Sequence, residues 1–344
     1  MNKRIFTRKV QLTGGSTLIV SLPKEWASRV NLKPGDLVAL TVQPDFSLKL
    51  MPWGRRDKPF STSLKLGANT KPGEAIREFI ARYLVGYDVI EIEFEDPAHQ
   101  LKKAIKEAMT RKMIGVEVIE EMANKVVVQC LARPEELSAI KALRRMMNIT
   151  SHMISDSIAS LKSPNEEALQ EVIERDEVVD KLYLFIIRQL KAAALGLVMP
   201  SDIGLNDLRE ALGFRIIVKS VERIGDHAKR IARTMLETPQ VSKASGLIPL
   251  LVDFGKGVHD VFLKTSKALF SYDRKLAHVV IEEAKELSGL EGELVKKIIS
   301  SSPSPEVAVA LRTIGESLKR IAEYSSDIAE ITINLAVENP QLYG

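Results

Sequence analysis

From about residue 134 to 338 the apolar residues recur with the 3.6-residue period of amphipathic helices. The period breaks near Ser163-Pro164, Pro200, Pro239, Tyr272 and Pro303, which predicts six long helices. Ser163-Pro164-Asn165-Glu166 has capping-box spacing with proline at the first helical position, so a helix is expected to start there. Short links between long amphipathic helices predict antiparallel bundles. The region also repeats itself. Val172-Ile173-Glu174 returns as Val280-Ile281-Glu282, and 220–233 aligns with 317–330 in the same helix order. Duplication is the simplest account, giving two three-helix bundles at 134–238 and 239–344.

The preceding residues follow other rhythms. Residues 57–133 read as a small α/β domain, with helices at 73–85 and 98–113 and strands at 89–94, 115–120 and 125–131. They hold no catalytic motif and are expected to act as a spacer or dimerisation module. Residues 1–56 read as short strands around one helix. Strands at 10–12 and 17–22 flank a Gly14-Gly15 turn, and a helix at 24–30 follows Pro23. A turn at 31–36 leads to a hairpin of 37–42 and 47–50 around Pro44-Asp45. The whole is a multidomain α+β chain whose C-terminal part is mainly helical.

Composition adds an asymmetry. The 344 residues carry a net charge of +4. Residues 1–56 hold ten Lys and Arg against Glu25, Asp36 and Asp45, a local +7, so the remainder is mildly acidic. A basic head of this kind implies a polyanionic partner. Aromatic residues make up 5% of the chain, which argues against single-stranded nucleic acid held by base stacking. Cys130 is the only cysteine, which excludes an intrachain disulfide and a cysteine metal cluster. The start, MNKRIFTRKVQLTGG, has no apolar signal segment, and no stretch approaches the roughly 20 apolar residues of a membrane span. A cytoplasmic protein is expected.

Four acids stand out on the helices. Asp176 and Asp180 occupy places on the apolar stripe of the second helix, and Glu222 and Asp226, also spaced i, i+4, border the stripe of the third. Gly225 lies between the latter two and would let a neighbouring backbone approach. If the helices pack, four carboxylates could converge, and an all-oxygen set suits Mg²⁺, Mn²⁺ or iron. The same spacing fits solvated acids paired with Arg175, Lys181, Arg223, Lys229 or Arg230. No Glu-x-x-His pair of a di-iron oxidase occurs in the helical half. His152, His227 and His259 are isolated and read as surface or packed histidines. There is no Walker loop and no convincing nucleophile, base and orienter set, so no catalytic residue is assigned and a non-enzyme is expected.

The segment Glu174-Arg175-Asp176-Glu177-Val178-Val179-Asp180, followed by Glu222-Arg223-Ile224-Gly225-Asp226-His227-Ala228, resembles the paired signature of the PhoU family. That pattern is an acid, three residues, then Asp, once on each of two bundle helices. The resemblance spans roughly 135–338. It implies a regulator of phosphate uptake working with the phosphate ABC transporter or with signalling partners. It also implies a metal ion (iron, Mn, Zn or Mg) on Asp176, Asp180, Glu222 and Asp226. The second repeat departs from the pattern, with Ala284, Ser288, Lys319 and Glu323 at the aligned places, so no second metal site is expected.

The head has its own likeness. Thr17–Pro23, Lys24–Val30 and Leu32–Asp36 are similar to the AbrB/SpoVT swapped-hairpin domain, in which two chains interleave. This implies a homodimer that binds double-stranded DNA, with Arg4, Arg8, Lys9, Lys24 and Arg29 as candidate contacts. The alternatives are a purely dimerising head, a DNA-binding repressor that senses another ligand, and an antitoxin-like protein, since the same head occurs in that class.

Overall fold

The computed structural model describes residues 5–42, 46–53, 59–95, 99–132, 136–244, 246–301 and 303–337. The chain divides into two compact units, an N-terminal one ending at Lys58 and a body running from Pro59 to Glu338.

In the N-terminal unit, strands β1 (Gln11–Thr13) and β2 (Thr17–Ile19) form an antiparallel hairpin, with Leu12 opposite Leu18. Gly14 and Gly15 take positive φ in its turn, a conformation that costs a side-chain-bearing residue energy. Helix α1 (Lys24–Arg29) begins after Pro23, which sits at the N-cap. The 31–36 turn is closed by the Lys33 amide donating to Asp36 at 2.7 Å. Strands β3 (Val38–Val42) and β4 (Leu48–Pro52) pair antiparallel with Leu40 opposite Leu50. The expected Pro44-Asp45 turn lies outside the described residues. Not one described residue of this unit is buried, while Leu12, Leu18, Leu37, Leu40 and Leu48 are all largely exposed. About fifty residues cannot enclose a core alone, and here the apolar side chains stay uncovered.

The body opens with an α/β layer. Its strands are β5 (Ser61–Leu66), β6 (Val89–Phe94), β7 (Val116–Glu121) and β8 (Lys125–Cys130), in the order β5-β6-β8-β7. β5 and β6 are parallel and the other pairs antiparallel. Helices α2 (Pro72–Val85) and α3 (His99–Lys112) cover one face, where Leu64, Ile90, Ile92 and Val128 meet Phe79 and Ile105. The other face is charged, with Lys125 paired to Glu91 and Lys65 to Glu93.

Six helices follow: α4 (Ala139–Lys162), α5 (Glu166–Ala194), α6 (Glu210–Glu237), α7 (Ile248–Ser271), α8 (Arg274–Ser301) and α9 (Pro305–Leu335). The start of α5 corrects the capping expectation. Asn165, not Ser163, is the N-cap, its Oδ1 accepting from the Ala168 amide at 3.1 Å. An asparagine immediately before two glutamates caps as well as serine and keeps Pro164 out of the helix. Ser138 caps α4, and Ser304 caps α9 ahead of Pro305.

Helices α4, α5 and α6 form one three-helix bundle and α7, α8 and α9 another, joined where α4 packs on α7 and α6 on α9. One continuous core runs through both, including Met146, Met153, Val179 and Val221 on one side and Val258, Ile314 and Ile321 on the other. The α/β layer docks through α5. Leu184 joins its core, and the Arg188 guanidinium donates to the carbonyls of Tyr83 (2.5 Å) and Tyr87 (2.9 Å). Among the described residues no helix is long and apolar enough to cross a membrane.

Candidate carboxylate site between two helices

The acids at 176, 180, 222 and 226 come together because α5 and α6 pack face to face. Gly225 sets the approach. A Cβ there would stand 3.3 Å from Val179 and 3.6 Å from Asp176 Oδ1, so even an alanine would need the Val179 side chain to give by a few tenths of an ångström. Asp176 is 2% exposed, buried among the apolar residues of the stripe it shares. Such a carboxylate needs a partner, and Lys229 from α6 supplies one at 2.5 Å. Lys219 holds Glu222 one turn earlier, reaching both carboxylate oxygens at 2.6 and 2.5 Å.

Asp180 and Asp226 form no ion pair among the described residues. Burial, followed by the charges of Asp176, Glu222 and Asp226, pushes the Asp180 carboxyl up to about 6, against the opposing pull of Lys229. Desolvation, then Glu222 and Asp176, also raises Asp226, while Lys219 and Lys229 lower it. The four carboxylates therefore lie within one another's field. Fully ionised, they exceed their two lysines by two negative charges. An all-oxygen set with that surplus fits a hard divalent cation. Among the described residues, however, no three His, Cys, Asp or Glu side chains already stand as a coordination group. A cation held here would draw in Asp180 and Asp226 and compete with the lysines for Asp176 and Glu222.

Of the five bases that spacing offers as partners, Lys229 takes a site acid among the described residues, but a buried one and not a solvated one; Arg175 turns instead to Asp156 and Glu171. Lys219 was missed, although its place three residues before Glu222 is a helical pairing distance.

Asp180 carries a pH signature. Its folded carboxyl titrates above the ordinary carboxyl range, so the folded state holds the proton longer than the unfolded chain. Stability of the cation-free protein should then fall as pH rises from about 4 to about 6, and the full penalty persists above that. Asp180→Asn removes the penalty. Because the group is partly open to solvent, we expect a gain of only about 1 kcal/mol at neutral pH. Thermal melts of both proteins in chelator should coincide near pH 4, draw apart between about pH 4 and about pH 6, and stay apart by a constant amount above that. Parallel curves would contradict the raised carboxyl.

The aligned places in the second bundle, Ala284, Ser288, Lys319 and Glu323, hold no such set of acids. Ala284 is buried, and the Ser288 hydroxyl donates to its carbonyl at 2.8 Å. Lys319 lies 3.9 Å from both Glu323 and Glu291, and Arg320 holds Glu323 at 2.5 Å. Of the three histidines singled out on the helices, His152 is exposed and the other two are half-buried. His227 stacks near Tyr324 on α9, with ring centroids 5.9 Å apart, and burial with Arg230 and Arg320 pushes it down to about 4. His259 shares a 2.9 Å hydrogen bond with the Ser151 hydroxyl.

Of the basic candidates in the N-terminal unit, Arg8, Lys9, Lys24 and Arg29 are exposed, and Arg4 lies outside the described residues. They fall in two places, the approach to β1 and the two ends of α1.

Two three-helix bundles related by duplication, with acids on facing helices of the first, define the class of the fold. Residues 143–235 and 251–332 each match the PhoU domain, one match per bundle, and residues 11–58 match the "Antidote-toxin recognition MazE, bacterial antitoxin" family. The chain belongs to the PhoU family, with a MazE-like small domain fused at its N-terminus. It is 24% identical over 204 residues to the phosphate-specific transport system accessory protein PhoU homolog of Zymomonas mobilis, covering 57% of this chain and 83% of that one. It is 26% identical over 210 residues to PhoU homolog 1 of Thermotoga maritima, covering 58% and 86%. The crystal structure of PhoU from Pseudomonas aeruginosa shares the fold, with a TM-score of 0.51 at 21% identity over 57% of this chain and 94% of that one. The phosphate transport system regulatory protein PhoU from Streptococcus pneumoniae does so as well, at 0.51 and 20%, over 57% and 92%.

Proposed function

We propose that the protein regulates phosphate uptake from DNA, as a dimer whose MazE-like heads grip the duplex and whose PhoU bodies sense or relay phosphate status. The observation that carries this reading is the fusion itself: a doubled PhoU domain in one chain with a basic head. Relatives named as accessory proteins of phosphate-specific transport support the phosphate half. The +7 of residues 1–56, doubled in a dimer, supports the DNA half. A second copy would cover Leu12, Leu18, Leu40 and Leu48, which one chain leaves exposed. The phosphate ABC transporter or its signalling components would be the body's protein partners, in the cytoplasm. Deleting the gene and following phosphate uptake together with transcripts of the uptake genes tests the reading. Both should lose their response to phosphate. An unchanged pair of responses would refute it.

The MazE match keeps a second reading in view, a DNA-bound repressor or antitoxin-like protein answering another ligand. Under that reading the same deletion alters transcripts unrelated to phosphate.

The cation belongs to this proposal. Asp176, Asp180, Glu222 and Asp226 would hold iron, Mn, Zn or Mg, which would relieve the repulsion among them and stabilise the fold by mass action. Asp176→Asn with Asp226→Asn keeps the shape and removes two charges. Wild type should carry metal after gentle purification, and its melting temperature should rise with added Mn²⁺. The double variant should lose both properties. Equal metal in the two proteins would place the site elsewhere, and metal in neither would leave the lysines as the acids' only counterions.

A further inference from the structure

We propose that a groove bounded by α4, the first turn of α5 and α7 binds an organic phosphate. The groove has a volume of about 520 Å³ and lies on the side of the first bundle that faces the second. It opens beside the place where α4 and α7 touch. There Gly255 brings the α7 backbone so near Ile158 that a Cβ would stand 2.7 Å from it. Ile158, Ala159, Ala168 and Val252 make an apolar floor.

The rim is basic. Lys162 is exposed and forms no ion pair among the described residues. Lys256 is 71% exposed, and its one ion pair, with Asp253, is loose at 4.0 Å. The single acid in the lining, Asp156, is taken by Arg175 across to α5. Two ammonium groups therefore face the opening without a committed counter-charge. Ser163 and Asn165 also line the groove. The Asn165 carbonyl oxygen is used in capping α5, which leaves its NH₂ to donate.

Size and lining choose among anions. Lysines are point charges well suited to phosphate. Inorganic phosphate alone would leave most of the volume and the whole apolar floor unused. A cavity within the roughly 300–1,000 Å³ range of small-molecule sites, apolar below and cationic at one edge, fits a ligand with an apolar body and a phosphate group. The carboxylate site has the opposite charge and lies between α5 and α6, so this groove stands apart from the cation chemistry proposed above. Its failure would leave the regulator reading intact.

Isothermal titration of the full chain with AMP, ATP and inorganic phosphate tests the inference. AMP or ATP should bind saturably, and inorganic phosphate more weakly. Lys162→Gln with Lys256→Gln alters only exposed side chains, so folding should hold, and it should weaken AMP or ATP by about tenfold or more. Ala159→Trp should block binding by filling the floor without changing charge. Arg8→Ala with Lys9→Ala should leave it unchanged, which separates the groove from the basic head. The proposal is overturned if none of the three ligands binds at millimolar concentration, if either groove variant binds like wild type, if the head variant abolishes binding, or if inorganic phosphate binds as tightly as the nucleotides.

Discussion

Replacing Lys229 with Met should destabilise the protein by about 2–3 kcal/mol, among the largest single-residue effects expected outside the apolar core. The change keeps most of the side chain's apolar length and removes the charge that Asp176 relies on. Asp176 is 2% exposed, and its Oδ2 lies 2.5 Å from the Lys229 ammonium. Without the ammonium, a buried carboxylate remains beside three other acids. Breaking one half of a buried pair costs more than the pair was worth, because the remaining charge stays desolvated. We place the loss just below the roughly 3–5 kcal/mol of fully buried pairs because Lys229 is 27% exposed. Asp176→Asn in the Lys229→Met background should restore most of it, and the double-mutant cycle should show strong coupling. Added Mn²⁺ should also rescue Lys229→Met, since a cation can replace the lost ammonium. Urea melts of the four proteins check this. A Lys229→Met midpoint equal to wild type would mean that the pair contributes nothing.

The second large effect concerns DNA. Arg4, Arg8 and Lys9 precede β1 in the sequence, and in a dimer their replacement by Ala removes six positive charges. If each meets a phosphate, the slope of log affinity against log salt should flatten by up to about 5, at roughly 0.9 per contact. Affinity at moderate salt should fall by about a hundredfold or more. Anisotropy titrations of a labelled duplex across a salt series would read both numbers. Light scattering on the same samples shows whether the protein is dimeric. A triple variant with wild-type affinity and slope would remove this face of the head from DNA contact. A wild-type monomer would remove the swapped-hairpin arrangement.

Much of this architecture was legible because helical periodicity is a strong signal. Pro200, Pro239, Tyr272 and Pro303 each lie between the helices they were expected to separate. The duplication showed in residues that serve the same structural role twice: Ile224 and Ile321 are both fully buried at aligned core positions. Short elements were harder. Strand β5 went unseen because Ser61-Thr62-Ser63-Leu64-Lys65-Leu66 turns only two leucines inward, and its identity depends on parallel pairing with β6, a contact distant in sequence. The α5 boundary moved because two good caps, Ser163 and Asn165, compete within three residues, and local pattern does not rank them.

The candidate site was legible as an anomaly, acids on an apolar stripe. What the pattern did not supply was how the acids are balanced. Asp176 and Lys229 lie 53 residues apart and meet only when α5 and α6 pack. Lys219 and Glu222 were readable from their spacing, but nothing local says that this lysine serves a buried cluster rather than solvent. The uneven division of roles, with Asp180 and Asp226 left to repel while the other two acids are paired, is a property of the packed helices alone.

A PhoU-type body that its own head carries to DNA should be found at the genes it regulates. The most direct measurement is chromatin immunoprecipitation of the native protein from cells grown in abundant and in scarce phosphate. The protein should occupy promoters of phosphate-uptake genes to an extent that changes between the two conditions, and this occupancy should disappear when Arg4, Arg8 and Lys9 are replaced by Ala. Uniform background across the genome in both conditions, with the protein present and folded, would contradict it.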